Sequence, residues 1–313
     1  MFNKIFKKYF FLIGIILFLI ILSKSNLREI YENIKNINSP YLIIAALLIF
    51  PMLINKTWCW HYILKQQGIK YRFRDLFSMY CSGLYIGLLT PARMGEITRA
   101  LYLKKDGHSM GKSLAGIILD RLSDFAFLLF FVFFGSLFFV TVFQKQILIF
   151  VLGTTAAVIL FLIFLKIGLV SWFLNNLFRI LVLKKYQKSW KVNFQDFINN
   201  LKIYKLKHYL IIFLITAFSW LFYYFITYLL AKGLELNVSI LYLAIAVTVA
   251  GFITLLPISI SGIGTRDAAL LGLFAPFAIS IEKILAFSAL ILSVSLFTVL
   301  IGLICWLIKP LKL

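Results

Sequence analysis

Four of the eleven acidic residues in this chain lie in or beside apolar segments, and each has an arginine close by. They are Glu96 with Arg93 and Arg99 at i±3, Asp120 and Asp124 with Arg121 between them, and Asp267 directly after Arg266. A charged side chain at the centre of a bilayer costs about 2.5–3.5 kcal/mol on insertion scales, so such groups normally pair inside a helix bundle. Guanidinium groups bind phosphate, and carboxylates orient them or receive a cationic group.

Two interpretations of these charges stay open at the level of the sequence. In the first, Arg93, Arg99 and Arg266 contact the phosphate of a lipid headgroup in a polar cavity, and the acidic residues keep them oriented. In the second, the charges are interhelical ion pairs that fix packing near the membrane boundary. On a helix, residues three or four positions apart share one face, so Arg93, Glu96 and Arg99 would project together.

The two arginine motifs resemble each other. Residues 88–100 and 255–268 each run from a Leu-Leu pair through a helix-breaking proline and glycine to Thr-Arg. Interrupted, charged segments in the two halves of a chain are typical of transporter sites. In the second motif, Gly262 and Gly264 permit tight turns, and a helix beginning near Thr265 would offer free N–H groups to an anion. The alternative there is an ordinary helix–loop–helix corner.

The composition indicates a membrane protein. The chain is 62% hydrophobic, its mean hydropathy is +0.98, and only 14% of its residues are charged, against about 25% in soluble proteins. The net charge of +21 is concentrated between apolar segments, which is typical of membrane orientation and argues against nucleic-acid binding. Cys59, Cys81 and Cys305 lie far apart, and we expect them to be small buried hydrophobic residues.

Long apolar runs predict the spanning helices. They occupy residues 5–22, 41–64, 114–143, 147–170, 209–231, 240–256 and 284–308. Two shorter stretches, 76–92 and 257–277, contain the motifs and predict re-entrant or interrupted helices that line a cavity. The predicted fold class is an all-α polytopic membrane protein with about seven to eight transmembrane helices plus two re-entrant or interrupted segments. Residues 1–313 are expected to form a single integral membrane domain.

Basic residues predict the orientation. Lysines at positions 4, 7 and 8 place the N-terminus in the cytoplasm, so we expect a multi-pass protein of the cell inner (cytoplasmic) membrane. The basic segments 65–112 and 166–207 are expected on the same side. A count of seven long spans places the C-terminal lysines outside, whereas their charge favours the cytoplasm, so the orientation of the C-terminus stays open.

Polar residues also occur in two other places. Residues 171–208 form a basic linker in which we expect two amphipathic helices lying on anionic inner-leaflet lipids, with a cytoplasmic hairpin packed on itself as the alternative. Phe194, Phe197, Ile198 and Leu201 form the apolar face of the second helix. Within the second span, Asn55 predicts an interhelical hydrogen bond and Lys56 a snorkelling contact.

Motifs of catalysis are absent from the sequence. It contains no Walker loop, nucleophile elbow, HExxH or dinucleotide fingerprint, and its three histidines are too scattered for a metal centre. We therefore expect no enzymatic activity, no cofactor and no metal. A membrane-embedded transferase with Asp120, Asp124 or Glu96 as acid–base groups is the lowest-ranked alternative.

Three runs, Pro91 through Arg99, Asp120 through Asp124 and Pro257 through Ala268, together resemble the lysylphosphatidylglycerol synthase transmembrane (flippase-like) family. Its best-known member is the N-terminal part of the bacterial multiple peptide resistance factor. The resemblance follows nearly the whole chain, and it implies about eight spans, two re-entrant segments and a role in lipid or glycolipid movement. Aminoacyl transfer is not expected, because in the resistance factor it belongs to a separate soluble domain. Ser261 precedes Gly262 where the family often has Pro-Gly-Gly.

The sequence therefore predicts a flippase or transporter that moves a phospholipid or related glycolipid across the cytoplasmic membrane. The alternative is an accessory membrane subunit for a glycosyltransferase or lipid-modifying enzyme. The candidate substrate-binding residues are Arg93, Glu96, Arg99, Asp120, Arg121, Asp124, Gly262, Gly264, Thr265, Arg266 and Asp267. Expected partners are membrane lipids and a lipid-modifying enzyme, and a homo-oligomer is compatible with the sequence. Four long spans between the motifs place both on the cytoplasmic side, which argues against an inverted repeat.

Overall fold

The computed structural model describes residues 12–88, 90, 95–137, 153, 184–255, 259 and 261–310. Every regular element in these ranges is helical, so the predicted all-α fold is confirmed for them. The helices are α1 (Leu12–Ser23), α2 (Leu27–Lys35), α3 (Ser39–Gln66), α4 (Phe73–Leu88), α5 (Thr98–Lys105), α6 (Met110–Leu137), α7 (Lys184–Lys202), α8 (Leu206–Gly233), α9 (Ile240–Leu255), α10 (Thr265–Phe274) and α11 (Ile281–Ile308). A 3-10 helix, Ala275–Phe277, follows α10.

The chain divides into two compact units. The first consists of Met1–Ile54, Ser78–Glu96 and Ser219–Pro310, and the second of Asn55–Phe77, Ile97–Phe218 and Leu311–Leu313. The second motif lies in the first unit. The charged residues from Arg99 to Asp124 lie in the second unit. The predicted single domain over residues 1–313 stays a prediction.

Three of the described helices are long and apolar enough to cross a membrane. These are α3, α8 and α11, with 28 residues each, and they correspond to three of the predicted spans. At 1.5 Å per residue each is about 42 Å long, against a hydrocarbon layer of about 30 Å. Helix α6 also has 28 residues, but its apolar sequence contains Asp120, Arg121 and Asp124. Of the predicted span at 147–170, only Gly153 lies within the described residues.

The second motif lies in a helical hairpin formed by α9 and α10. The Tyr242 hydroxyl donates to the Leu273 carbonyl, and the Tyr242 ring lies 4.5 Å from that of Phe277. The start of α9 is therefore next to the end of α10. Helix α9 has 16 residues, fewer than the roughly 20 that a crossing needs. The predicted span at 240–256 is thus one arm of this hairpin, which we call the second hairpin.

The first motif occupies a similar position between α4 and α5, which form the first hairpin. Its connection, residues 89–97, is as long as the connection 256–264 of the second hairpin, and α4 also has 16 residues. Tyr71, just before α4, donates its hydroxyl to Asp106, just after α5, at 2.6 Å. The two ends of this hairpin therefore also meet. Partial burial, together with the bond to Asp106, raises the pKa of Tyr71 above its usual value.

The two hairpins pack against opposite halves of α11. Ser78 of α4 donates to the Cys305 carbonyl at 3.2 Å, near the end of α11. In the second hairpin, Arg266 donates to Ser288 at 2.8 Å, near the start of α11. Ser288 and Cys305 are about 25 Å apart along the helix axis at 1.5 Å per residue. The expectation that both motifs lie on the cytoplasmic side stays a prediction, because the count behind it includes residues 147–170, of which only Gly153 is described.

Several connections gather where α11 begins. The Asn26 backbone N–H donates to Glu282 at 3.2 Å, and the Asn38 N–H donates to the Gly233 carbonyl at 3.2 Å. The starts of α2, α3 and α11 and the end of α8 are therefore at one end of the first unit. Because α3 and α11 start there, both run toward the opposite end, where Lys309 follows α11.

Helix α7 is the second of the two amphipathic helices predicted in the basic linker. Its Ile198 is buried, and a Cβ atom on Gly111 of α6 would overlap the Asn193 carbonyl of α7. The apolar side of α7 therefore packs closely on α6 rather than facing lipid along its whole length. The first predicted amphipathic helix, between residues 172 and 181, lies outside the described residues.

Candidate functional site

The carboxylates of Asp120 and Asp124 are on successive turns of α6, and these residues are 1% and 8% exposed. Three cations from three helices surround them. These are Lys56 of α3, Arg99 of α5 and Arg121 of α6. We call these five residues the first cluster.

Arg99 and Asp120 form the inner part of the first cluster. Arg99 Nη1 donates to Asp120 Oδ2 at 3.0 Å, and the guanidinium carbon lies 5.0 Å from the centre of the Trp60 ring. Arg99 is fully buried. A buried charge of this kind needs a partner, because removing an ion from water costs several kcal/mol in real proteins. The ion pair and the cation–π contact together hold α5 against α3 and α6.

Lys56, Arg121 and Asp124 form the outer part of the first cluster. Lys56 Nζ donates to Asp124 Oδ1, and Arg121 Nη2 lies 3.3 Å from Asp124 Oδ2 and 3.1 Å from Asp120 Oδ2. The side chains of Lys56, Asp124 and Arg121 are 14%, 12% and 27% exposed, against 1% for Arg99 and Asp120. The outer part is therefore partly exposed, whereas the inner part is buried.

Hydroxyl and thiol groups tie together the helices around the first cluster. Ser123 of α6 and Thr216 of α8 are 3.0 Å apart, and Thr216 and Cys59 of α3 are 3.5 Å apart. Asn55 of α3 donates to the Ile215 carbonyl of α8 at 2.8 Å, which confirms the predicted interhelical hydrogen bond. Such bonds between membrane helices average about 0.6 kcal/mol each. They fix the helices that present the charged side chains.

The first cluster lies well inside the helices. Gln67, just after α3, donates to the Lys112 carbonyl at 3.2 Å, so the end of α3 meets the start of α6. Lys56 and Asp120 are each about 15 Å from this common end at 1.5 Å per residue. The cluster therefore lies within the helices and not at their ends.

Arg266, Asp267 and Ser288 form the second cluster, and all three are buried. Arg266 Nε donates to Ser288 Oγ at 2.8 Å, and the Ser288 hydroxyl donates to Asp267 Oδ1. Arg266 Nη2 lies 4.0 Å from the same carboxylate oxygen. Ser288 thus bridges a guanidinium and a carboxylate and attaches α10 to α11.

The turn before α10 has the backbone conformation that its glycines allow. Gly262 and Gly264 have φ values of 79° and 81°, and α10 begins at Thr265 as predicted. The Gly264 N–H donates to Asp267 Oδ2 at 2.8 Å. The carboxylate of the chain itself therefore occupies part of the helix N-terminus that was expected to hold an anion. Ser261 also has a positive φ, 54°, at a position where the resembling family often has glycine.

Helix α1 contacts this turn through backbone atoms. A Cβ atom on Gly264 would overlap the Gly14 carbonyl, and a Cβ atom on Gly14 would overlap the side chain of Ser259. Ser259 and Thr265 in turn share a hydrogen bond of 2.7 Å. The close approach requires glycine on both sides, so α1 is a structural part of the second motif.

Both clusters occur in a chain with clear relatives. The family model for the lysylphosphatidylglycerol synthase TM region matches residues 9–302. The chain belongs to this family. A UPF0104 membrane protein of Methanocaldococcus jannaschii is 26% identical over 294 residues, which cover 88% of this chain and 87% of that protein. The predicted family is confirmed, and together with its long apolar helices the chain is a multi-pass membrane protein.

The structure brings most of the predicted site residues of this family member into the two clusters. Arg99, Asp120, Arg121 and Asp124 are in the first, and Arg266 and Asp267 are in the second, directly after Gly262, Gly264 and Thr265. Arg93 lies outside the described residues. Glu96 is buried in a 3-10 turn at 95–97, and α5 begins only at Thr98, so Glu96 and Arg99 do not share one α-helical face.

Sequence reasoning missed Lys56, Trp60 and Ser288. A lysine within an apolar span was itself a signal, but it was interpreted as a snorkelling contact, whereas Lys56 pairs with Asp124. Nothing in the sequence distinguishes Ser288 from the other serines of α11. The described residues contain no group of three or more His, Cys, Asp or Glu side chains that could hold a metal ion.

Proposed function

We propose that the protein is a lipid flippase or transporter, which moves a phospholipid or related glycolipid across the cytoplasmic membrane without enzymatic chemistry. The first cluster is the observation that carries this proposal. It places three cations and two carboxylates about 15 Å inside the helices. A headgroup phosphate that leaves water needs such partners, because an isolated ion in hydrocarbon is very unfavourable. The family name itself refers to a lipid, lysylphosphatidylglycerol.

The different exposures within the first cluster suggest a division of roles. Arg99 and Asp120 are inaccessible and hold the helices in register. Lys56 and Arg121 offer N–H donors to a phosphate; Lys56 now donates to Asp124, and Arg121 forms an ion pair with it. A bound phosphate would replace Asp124 as their acceptor, and Asp124 would then be available to a cationic part of the headgroup. Uphill movement would draw on the membrane potential or on a partner protein.

In this proposal the two hairpins are re-entrant and enter the membrane from opposite faces. Three features support it: the equal lengths of the connections 89–97 and 256–264, the 16-residue first arms, and the contacts of the hairpins with opposite halves of α11. Interrupted segments in inverted repeats build the substrate sites of many secondary transporters. Alternate opening of the two hairpins would expose the headgroup to one leaflet at a time.

The proposed orientation follows from the basic residues at the two ends of the helices. The end at which α3 finishes, together with the adjoining connections, carries Lys65, Lys70, Arg72, Arg74, Lys104, Lys105, Lys202, Lys205 and Lys207. The end at which α3 and α11 start carries Lys24, Arg28, Lys35, Lys232 and Lys283, with four glutamates, Glu29, Glu32, Glu235 and Glu282. We therefore place the end at which α3 finishes in the cytoplasm, in contact with anionic inner-leaflet lipids.

The proposal is tested by fluorescent-lipid scrambling in proteoliposomes that contain the purified protein. We expect movement by the wild type, and loss of movement in Glu96→Ala and Arg266→Ala, which change buried residues of the two motifs. Glu29→Ala and Arg72→Ala change exposed residues of the same types and serve as matched controls with unchanged rates. An inert wild type with phosphatidylglycerol, phosphatidylethanolamine and a glycolipid would contradict the proposal, as would motif variants that move lipid normally.

A second candidate is an accessory subunit for a glycosyltransferase or lipid-modifying enzyme. It is favoured by the second cluster, in which Arg266 and Asp267 are bonded to each other through Ser288 and to the turn through Gly264, as in a structural element. Co-purification with such an enzyme, together with an inert wild type in the scrambling assay, is the result expected from this second candidate.

A further inference from the structure

Helix α2 is a short amphipathic helix between two apolar segments, in a region for which the sequence analysis predicted no helix. Its N-cap is Asn26, whose side chain accepts the backbone N–H groups of Arg28 and Glu29 at 3.1 and 3.4 Å. An asparagine cap accepts backbone N–H groups that would otherwise be unpaired, and it thereby stabilises the helix. The local sequence therefore determines where this helix begins.

Three sides of α2 face three different surroundings. Leu27 and Tyr31, one turn apart, are 59% and 64% exposed, although both are largely apolar. Arg28 and Glu32, also one turn apart, form an ion pair of 3.0 Å and are exposed as well. Ile30 and Ile34, which lie beside Leu27 on the helix surface, are half-buried, and α2 packs against α11. One exposed side is thus apolar and another is charged.

The position of α2 fixes which medium lies on its apolar side. Only residues 36–38 separate α2 from α3, which is long enough to span a membrane, and the N-cap Asn26 is bonded to Glu282 in the first turn of α11. Both ends of α2 are therefore attached to the ends of spanning helices. A helix held in this way lies at the level where the spans leave the hydrocarbon.

From this geometry we propose that α2 is a membrane-surface helix whose partner is the headgroup region of a lipid leaflet. Leu27 and Tyr31 enter the boundary of the acyl chains, where tyrosine is enriched in membrane proteins. Arg28 and Lys35, at the edge of this apolar side, extend toward the lipid phosphates. A protein partner would need roughly 800 Å² of surface on this side, far more than two side chains of a nine-residue helix present.

The assignment does not depend on lipid transport, and it has a consequence for the second hairpin. Helix α11 contacts α2 through its first part and α10 through Ser288 and Phe287. The lipid bound by α2 is therefore next to the helix that holds the second cluster. Helix α2 therefore keeps one leaflet in contact with the protein beside the second hairpin, whether or not the hairpin moves.

Spin labels test the proposal in vesicles of phosphatidylcholine and phosphatidylglycerol. Leu27→Cys, Tyr31→Cys and Glu29→Cys each receive a nitroxide, and the labelled wild type supplies the background from Cys59, Cys81 and Cys305, of which the first two are buried. All three positions are exposed, so the variants are expected to fold, which circular dichroism and gel filtration verify. Power saturation then compares oxygen, which concentrates in lipid, with a nickel chelate that stays in water.

We expect an oxygen-to-nickel accessibility ratio that is several-fold higher at positions 27 and 31 than at position 29. Equal ratios at all three positions would show that this side faces water and would overturn the proposal. Low accessibility to both reagents at 27 and 31 would overturn it as well, because it would show that a protein, such as a second copy of the chain, covers the helix.

Discussion

Replacing Asp120 by asparagine removes the carboxylate that two guanidinium groups share, since Arg99 and Arg121 lie 3.0 and 3.1 Å from it. Arg99 is fully buried and cannot move its charge into water. Breaking a buried ion pair by removing one partner typically costs about 3–5 kcal/mol, because a charge stays behind in a low-dielectric interior. The asparagine amide still accepts a hydrogen bond, so we expect a loss of about 3 kcal/mol, a large part of a total stability of about 5–15 kcal/mol.

The loss is measured as the free energy of unfolding in mixed micelles with increasing sodium dodecyl sulfate, followed by tryptophan fluorescence. Glu32→Gln is the matched control, because its ion pair with Arg28 is exposed, and such pairs contribute about 0–1 kcal/mol. The double variant Asp120→Asn with Arg99→Met should recover much of the lost stability, since it leaves one fewer unpaired charge buried. If Asp120→Asn is no more destabilising than Glu32→Gln, the reasoning from burial is refuted.

Three further predictions concern the second motif and are measured in the same unfolding assay. Gly14→Ala should destabilise by about 1–3 kcal/mol through overlap with the motif turn, whereas Gly251→Ala, with open space around it, should stabilise by up to about 1 kcal/mol; equal effects would contradict the close contact of α1. Ser261→Gly should stabilise by up to about 1 kcal/mol by relieving a positive φ, and a loss of stability would argue against that conformation. Ser288→Ala should cost about 1–3 kcal/mol because it removes the hydroxyl that bridges the buried Arg266 and Asp267, whereas Ser293→Ala, at an exposed position of the same helix, should be nearly neutral.

The sequence predicts the long apolar helices best. Helices α3, α8 and α11 follow from length and apolar composition alone, and the predicted spans agree with them within a few residues. Residues 240–256 were harder, because 16 or 17 apolar residues suit both a crossing and a hairpin arm. The contact of Tyr242 with Leu273 shows that α9 pairs with α10, and such a tertiary contact has no local signature in the sequence. Helix α2 was missed because it has only nine residues, too few to stand out as a span.

The residue types of the candidate site could be predicted from the sequence, but their partners could not. Acidic and basic residues in apolar surroundings must be paired, which identified Arg99, Asp120 and Asp124. Which cation meets which carboxylate depends on how three helices pack, so Lys56 was assigned to the membrane boundary although it contacts Asp124. The glycines at 262 and 264 were predicted to form a turn, but the part that α1 plays in it required the structure.

Lipid movement by variants of the outer part of the first cluster tests the account most directly. The measurement is the initial rate of fluorescent phospholipid movement in proteoliposomes for wild type, Lys56→Gln and Arg121→Gln, with the exposed Lys202→Gln as a control. Losing one charged hydrogen bond to a phosphate is worth about 1.5–3 kcal/mol, so both cluster variants should be about 10- to 100-fold slower and the control unchanged. Wild-type rates in folded Lys56→Gln and Arg121→Gln proteins would contradict the claim that this cluster binds the moving headgroup.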